Sequence, residues 1–261
     1  MHSQLIEGLP FQSFGLCIAI GVLIAWKIAE RLWRSDEIGN LIFLLLISGL
    51  IGARLTHVIE FYYEDGFDIN PLSAFKVWQG GLVFYGGFIA GAISFVIWCV
   101  IKGREFLKVA DVLCVAIPIA HAFGRIGCFL HGCCWGKVSD SALAVRFPAH
   151  SPVWFARRAN DFSTHSLPVL PTQLFEAVAL LILFGILYAI YKKFKAYTAA
   201  MYMIGYSVIR FGMEFLRDDK RPELFGLSSA QIVSLLLFAV GCIFIEWEWS
   251  KKNGKSSCDN R

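Results

Sequence analysis

Residues 112–136 read VLCVAIPIAHAFGRIGCFLHGCCWG, and this stretch joins an apolar run to a segment rich in glycine and cysteine. Its first half, Val112 to Phe123, is an apolar run that predicts a membrane helix. Its second half places four glycines, one arginine, one histidine and three cysteines directly after that run. Irregular backbone near a bilayer is tolerated only where protein or a water-filled cavity satisfies its polar groups. The stretch is therefore expected to line a functional site.

The composition indicates a membrane protein. Of 261 residues, 57% are hydrophobic and 17% are charged, and the mean hydropathy is +0.60, which lies outside the range of ordinary globular domains. A net charge of +4 is too small to indicate nucleic-acid binding. Four of the eight cysteines fall inside apolar runs, where a free thiol packs as a small hydrophobe, and Cys258 lies in a polar tail. The informative cysteines are Cys128, Cys133 and Cys134.

The hydropathy pattern predicts an all-α polytopic protein with about seven transmembrane helices. Each apolar run approaches the roughly 20 residues that cross a bilayer. The predicted spans are residues 11–28, 41–55, 82–101, 109–123, 174–191, 199–215 and 232–247. The first ten residues carry no basic segment, so no cleavable signal peptide is expected. The whole chain, 1–261, is expected to form a single transmembrane domain.

The distribution of basic residues predicts the orientation of these spans. Lys and Arg cluster after the first, third, fifth and seventh spans, which makes those ends cytoplasmic. The N-terminus is then outside, the C-terminus is cytoplasmic, and loops 60–81 and 124–171 face outward. The second loop is basic against this trend, which suggests an anionic ligand. For Arg146, Arg157 and Arg158, contact with lipid headgroups is the simpler interpretation.

Two arginines predict a site for an anion. Arg210 lies inside an apolar span, where a buried charge is costly unless it meets a partner or a cavity. Glu214 is four residues further along the same helix face and could be that partner, in which case the pair could also be purely structural. Arg125 has no such acid near it in sequence and stands between Gly124 and Gly127. Arginine matches phosphate in a bidentate way, so both arginines are predicted to converge on one phosphate.

Glycine pairs surround a tyrosine at the start of the third span, in the run QGGLVFYGGFIAG, residues 79–91. Glycine lets a ligand or another backbone approach closely. The Tyr85 hydroxyl could donate to a phosphate or take part in proton transfer, or Tyr85 could simply anchor the span at the interface. Gly86 and Gly87 are the candidate contacts with substrate.

Four motifs together resemble the prolipoprotein diacylglyceryl transferase family. They are Gly80 to Gly87, Gly124 to Phe129, Pro171 to Glu176 and Arg210 to Arg217, in this order within the predicted spans. The resemblance implies a bacterial cytoplasmic-membrane enzyme, with its active site toward the outer face. It implies transfer of diacylglyceryl from phosphatidylglycerol to the lipobox cysteine of a prolipoprotein signal peptide, which forms a thioether. No metal or organic cofactor is required by that chemistry.

The resemblance also implies roles for individual residues. Arg125 matches the family's signature arginine and would bind the phosphate, and Arg210 would stabilise the leaving group. Glu214 would orient Arg210 or move a proton. Gly124, Gly127, Gln173 and Glu176 would contact the headgroup, although Gln173 and Glu176 could equally bridge helices. Thiol attack on the glyceryl carbon needs a thiolate and a stabilised phosphate leaving group, which fits this set.

The chain departs from the family where the base is expected. Tyr85 stands where a histidine is usual, Cys128 replaces an asparagine, and an acidic position falls within Cys133 and Cys134. Tyrosine, with a pKa of about 10, is a poor base at neutral pH. His121 and His131 are therefore the candidates to accept the proton. The departures leave room for a related transferase that uses a different thiol or lipid.

The cysteines offer a competing interpretation. Cys128, His131, Cys133 and Cys134 could bind a soft metal, which would make this a membrane metal-binding or redox protein. Adjacent cysteines are awkward ligands for one tetrahedral site. A disulfide from Cys128 to Cys133 or Cys134, or an unmodified loop, is the simpler expectation.

Overall fold

The computed structural model describes residues 13–65, 81, 83–158, 160, 163–218, 223–224 and 226–258. Within these ranges the chain is almost entirely helical. The elements are α1 (Ser13–Trp33), α2 (Glu37–Asp65), α3 (Phe84–Lys102), α4 (Phe106–His131), α5 (Pro152–Arg157), α6 (Thr172–Phe194), α7 (Thr198–Glu214), the short strands β1 (Glu223–Leu224) and β2 (Leu227–Ser228), and α8 (Ser229–Cys258). Most of the predicted outer loop 60–81, including Gly80, lies outside the described residues.

The prediction of an all-α polytopic membrane protein is confirmed. Among the described helices, six are long and apolar enough to cross a bilayer: α1, α2, α3, α4, α6 and α8. The remaining predicted span corresponds to α7, which has 17 residues and includes Arg210 and Glu214. The orientation of the termini stays a prediction.

Glycine and polar residues set the ends of several helices. Gly103 ends α3 in the left-handed conformation, with its N–H bonded to the carbonyls of Cys99 and Val100. Ser151 accepts a hydrogen bond from the Trp154 N–H and so caps α5. A glycine thus ends α3 and a serine begins α5, as is usual for these two helix positions.

The described residues cluster into two compact units, residues 1–28 with 110–261, and residues 29–109. In the second unit, α2 and α3 pack through small residues. A side chain at Gly86 would collide with Thr56 and with the Gly52 carbonyl, and one at Gly87 would lie 2.9 Å from the Gly49 carbonyl oxygen. These glycines allow the two helix backbones to approach closely. The single-domain assignment stays a prediction.

In the first unit, α4 extends further than predicted. The sequence places its end at Phe123, but the helix continues to His131. Gly127 lies against α1, where a Cβ atom would be 3.0 Å from Phe14 Cδ2 and 3.2 Å from Cys17 Cβ. Because glycine here permits helix packing, it does not interrupt the helix. The loop predicted from residue 124 therefore begins after His131.

The segment after α4, residues 132–171, was predicted as part of the outer loop 124–171 and folds into a small cap with a buried core. Phe147, Val153 and Val169 form its buried core, with Phe129 and Trp135 packed against them. Its three arginines have partners within the chain. Arg157 Nη2 is 2.6 Å from Asp218 Oδ2, Arg158 stacks over Trp154, and Arg146 donates to the Ser166 carbonyl at 3.4 Å.

Asp111 joins the start of α7 to α4. Its carboxylate Oδ1 accepts hydrogen bonds from the Ala199 N–H at 2.7 Å and from the Thr198 hydroxyl at 3.0 Å. Asp111 and Thr198 are both buried. A carboxylate at a helix N-terminus satisfies N–H groups that have no partner within the helix. This contact fixes the position of the helix that carries Arg210.

We expect Asp111→Ala to destabilise the protein by about 1–3 kcal/mol, because it leaves buried donors of α7 without an acceptor. Thermal unfolding in detergent measures the change. The matched control is Asp140→Ala, which removes an exposed carboxylate and should leave the unfolding midpoint unchanged. Equal midpoints for the two variants would contradict the assignment.

Candidate active site

Arg125 forms a buried ion pair with Glu176 across two helices. Arg125 Nη2 on α4 is 2.9 Å from Glu176 Oε1, which lies at the start of the second turn of α6. The side chains are 14% and 1% exposed, so the pair is shielded from solvent. His121, one turn earlier on α4, places its Nε2 3.8 Å from the same carboxylate oxygen. Ala122, Ala177 and Leu180 pack these two helices together.

Part of the Arg125 guanidinium is left without a hydrogen bond. Arg125 Nε is buried and has no acceptor among the described residues. Glu176 Oε1 lies close to Nη2, but its alignment does not meet hydrogen-bond geometry. Buried donors normally have acceptors. The unpaired Nε–H of Arg125 is therefore a donor that an anionic ligand could satisfy.

Arg210 forms the second buried ion pair. Its Nη1 atom is 2.8 Å from Glu214 Oε2, one turn further along α7, and each side chain is 9% exposed. The sequence predicted this pair from the spacing of four residues, and its existence is confirmed. The pair keeps a charged arginine inside an apolar helix.

Tyr206 connects the two pairs. Its hydroxyl interacts electrostatically with Arg125, Arg210 and Glu176. Its ring centroid is 5.2 Å from that of His121. His121 also interacts electrostatically with both arginines. The two arginines thus share two neighbours, Tyr206 and His121, and their convergence on one phosphate stays a prediction. We call this group the arginine cluster, and its members are His121, Arg125, Glu176, Tyr206, Arg210 and Glu214.

Three cysteines converge beside the arginine cluster. The sulfur atoms of Cys128, Cys133 and Cys134 all lie within 4.8 Å of one another. Each is a partly buried free thiol, so of the two expectations from the sequence the structure has the loop without a disulfide. Arg125 interacts electrostatically with Cys128 and Cys134. We call these three residues the thiol cluster.

The chain around the thiol cluster is held in place by α6. Gln173 Nε2 donates to the Cys133 carbonyl at 2.6 Å, and the Thr172 hydroxyl donates to the Cys134 carbonyl at 2.9 Å. Gly132 ends α4 in the left-handed conformation with φ +79°, and Cys134 is left-handed as well, with φ +62°. Gln173 thus bridges a helix and a loop, which was the structural alternative for this residue. Its predicted contact with substrate stays a prediction.

Charge and hydrogen bonding shift the pKa values of Cys133 and Cys134 in opposite directions. Hydrogen bonds from Cys128 and Cys133 lower the pKa of the Cys134 thiol, and the Arg217 guanidinium lowers it further. Hydrogen bonds to Cys128 and Cys134 raise the pKa of the Cys133 thiol. The backbone of Arg217 pairs with that of Gly136 in an antiparallel bridge, which brings this arginine to the cluster. A thiolate is therefore most stable at Cys134.

The other predicted site residues have different surroundings. Tyr85, with Gly86 and Gly87, belongs to the second unit, where Tyr85 is 63% exposed in the first turn of α3. A side chain at Gly124 would meet nothing within 4 Å. His131 is the last residue of α4 and is not a member of the thiol cluster. The roles of these residues in catalysis or binding stay predictions.

The sequence interpretation missed two features of the site. Glu176 was expected to contact the headgroup or to bridge helices, and it does bridge α6 and α4, but its partner, Arg125, was not identified. Tyr206 was not singled out. Tyr206 lies one turn before Arg210, so both residues are on one face of α7. This spacing could have identified Tyr206 from the sequence.

The fold is that of a polytopic membrane protein, and its described residues bring two buried arginine–carboxylate pairs together with clustered thiols. Residues 3–247 match the family model for prolipoprotein diacylglyceryl transferase. The chain belongs to this family and is a transferase. The family does not favour the alternative of a membrane metal-binding or redox protein.

Curated relatives support the assignment along almost the whole chain. A Clostridium perfringens protein named phosphatidylglycerol--prolipoprotein diacylglyceryl transferase 2 is 32% identical, with 91% of each chain covered. The Clostridium tetani protein named phosphatidylglycerol--prolipoprotein diacylglyceryl transferase is 33% identical, covering 91% of this chain and 93% of its own. A Vibrio atlanticus protein of the same name is 31% identical, covering 93% and 88%.

We expect Glu176→Gln to destabilise the protein by about 3–5 kcal/mol, because the substitution leaves Arg125 buried without a countercharge. Thermal unfolding measures this loss. Glu105→Gln is the matched control, since Glu105 pairs with Lys108 at an exposed position and should change stability by less than about 1 kcal/mol. An equal loss of stability in both variants would show that the buried ion pair contributes no more to the free energy of unfolding than the exposed one.

Proposed function

We propose that this transferase moves the diacylglyceryl group of phosphatidylglycerol to the cysteine thiol of a prolipoprotein lipobox. Its family and the names of its relatives support this choice of substrates. The observation that carries the proposal is the buried Arg125, whose Nη2 is paired with Glu176 and whose Nε has no acceptor among the described residues. Such an arginine is suited to a phosphate bound inside the membrane.

The reaction requires positive charge at the phosphate. The lipobox thiolate attacks the glyceryl carbon, the bond from that carbon to the phosphate oxygen breaks, and glycerol phosphate leaves with the electron pair. Negative charge therefore grows on the leaving oxygen. Arg125 would bind the phosphate of the substrate, and Arg210 would stabilise the charge as it develops. Donors fixed before the reaction are the effective kind, because they need no reorganisation.

The two carboxylates prepare the arginines for this task. A buried arginine without a countercharge would destabilise the folded protein. Glu176 and Glu214 supply that countercharge and fix the direction of each guanidinium. Arginine has five N–H donors, so a guanidinium paired with one carboxylate retains donors for a phosphate.

The thiol must also lose its proton. His121 is a candidate acceptor inside the arginine cluster, 3.8 Å from the Glu176 carboxylate. His131 and Tyr85 are the other candidates from the sequence. In this proposal Tyr206 positions Arg125 and Arg210 and does not take the proton, since a phenol is a weak base at neutral pH.

We expect Arg125→Ala to lower the rate of glycerol phosphate release by about 10²–10³-fold, because it removes a donor at the charged group. The assay uses purified protein in detergent with phosphatidylglycerol and a lipobox peptide. Arg210→Ala should show a loss of similar order. Arg104→Ala is the control, because Arg104 forms an exposed pair with Glu37 and should retain the wild-type rate. Release that persists in Arg125→Ala would refute the assignment of the phosphate site.

We further propose that the chain lies in the bacterial cytoplasmic membrane, with its N-terminus and active site on the outer side and its C-terminus in the cytoplasm. A green fluorescent protein fused to the C-terminus should therefore fluoresce, since it folds in the cytoplasm. Alkaline phosphatase inserted after Asp140, in the cap, should be active because it is exported. The opposite pair of results would reverse the proposed orientation.

A further inference from the structure

The thiol cluster has no role in the reaction described above. Cys128, Cys133 and Cys134 nevertheless place three sulfur atoms within 4.8 Å of one another, and all three are partly accessible. Among the described residues, these three are the group that could ligate a metal ion. Three soft donors at this separation match the ligand set of a thiophilic metal such as zinc.

The geometry of the loop removes the objection raised by two adjacent cysteines. In an extended chain, successive side chains point to opposite sides. Cys134 is left-handed, with φ +62°, and this conformation breaks the alternation. Hydrogen bonds from Gln173 and Thr172 to the carbonyls of Cys133 and Cys134 hold that backbone. The fold itself therefore brings both sulfurs to one side, next to Cys128.

We propose that Cys128, Cys133 and Cys134 bind one zinc ion, and that its fourth position takes the thiol of the incoming lipobox cysteine. Zinc sites with three protein ligands keep one position open for a substrate. His131 is not part of the group, so the fourth ligand is not supplied from there. The second half of this inference rests on the proposed function, and it departs from the expectation that the reaction needs no metal.

Such a site would remove the proton of the lipobox thiol without a general base. A thiol that binds zinc loses its proton outright, which leaves a thiolate nucleophile at neutral pH. The proton passes to solvent. The sulfur electron pair then forms the bond to the glyceryl carbon, and the carbon–oxygen bond breaks toward glycerol phosphate. The step is a nucleophilic substitution that alkylates the sulfur. It consumes neither an oxidant nor a reductant.

The position of the cluster fits this role. Arg125 interacts electrostatically with Cys128 and Cys134, and Arg125 is also the proposed phosphate ligand. The nucleophile would thus be held beside the group that must leave. Holding two reactants in a productive geometry is itself a large source of rate.

The first test measures metal binding without any activity assay. Purified full-length protein is titrated with Zn²⁺ against a competing chelator, and with Co²⁺ while its sulfur-to-metal absorption is recorded. We expect roughly one tightly bound ion per chain and thiolate absorption. Each of Cys128→Ser, Cys133→Ser and Cys134→Ser should weaken binding by more than the roughly 10- to 100-fold that loss of an outer-shell partner costs.

The matched control is Cys114→Ser, because Cys114 lies on α4 outside the cluster and should bind zinc like the wild type. Wild-type protein without tight Zn²⁺ binding, or variants that bind as tightly as the wild type, would overturn the metal site. A disulfide within the cluster of protein purified under reducing conditions would overturn it as well. The wild-type titration decides the matter even if a serine variant fails to fold.

The second test addresses the substrate thiol. A lipobox peptide with cysteine should change the Co²⁺ spectrum, whereas the same peptide with serine should not. Chelation should abolish glycerol phosphate release, and Zn²⁺ should restore it. Release that survives complete removal of metal would overturn the role of zinc and leave the transferase proposal intact. A loaded metal site with no release from any lipid would refute the transferase proposal instead.

Discussion

The buried ion pair between Arg125 and Glu176 is the constraint on which the rest of the site depends. A guanidinium inside a membrane helix is costly unless a carboxylate meets it, so α4 and α6 must pack in the one register that joins these residues. That register also brings His121 to the same carboxylate, and Tyr206 of α7 packs against His121. The Nε–H of Arg125 is left buried without an acceptor among the described residues.

The start of α6 organises both halves of the site. Glu176 fixes the arginine, and Gln173 and Thr172, less than two turns earlier, fix the backbone of the cysteines. A single helix start therefore determines the distance between the proposed phosphate site and the thiol cluster. Asp111 plays the corresponding role for α7, because it binds the N-terminus of the helix that carries Arg210.

The glycines of this chain illustrate how similar motifs serve different purposes. Gly86 and Gly87 appeared in the sequence as candidate contacts with substrate, yet in the structure they allow α2 and α3 to approach closely. Gly127 does the same for α1 and α4, and for this reason it lies within a continuous helix. Gly124 differs, since the space around its Cα is open. Glycine in the sequence predicted that something approaches the backbone closely at these positions. The packing shows that the approaching group is another helix.

The sequence by itself determined the membrane class, the approximate positions of the six described spans, the family and the Arg210–Glu214 pair. Hydropathy and helical spacing are local properties, and they persist whatever the remainder of the chain does. Tertiary structure alone decided where α4 ends, that Glu176 is the partner of Arg125, and that three thiols converge. These features depend on contacts between residues far apart in sequence and on a left-handed backbone at Cys134. No local pattern encodes such contacts, because they form only when the helices have packed.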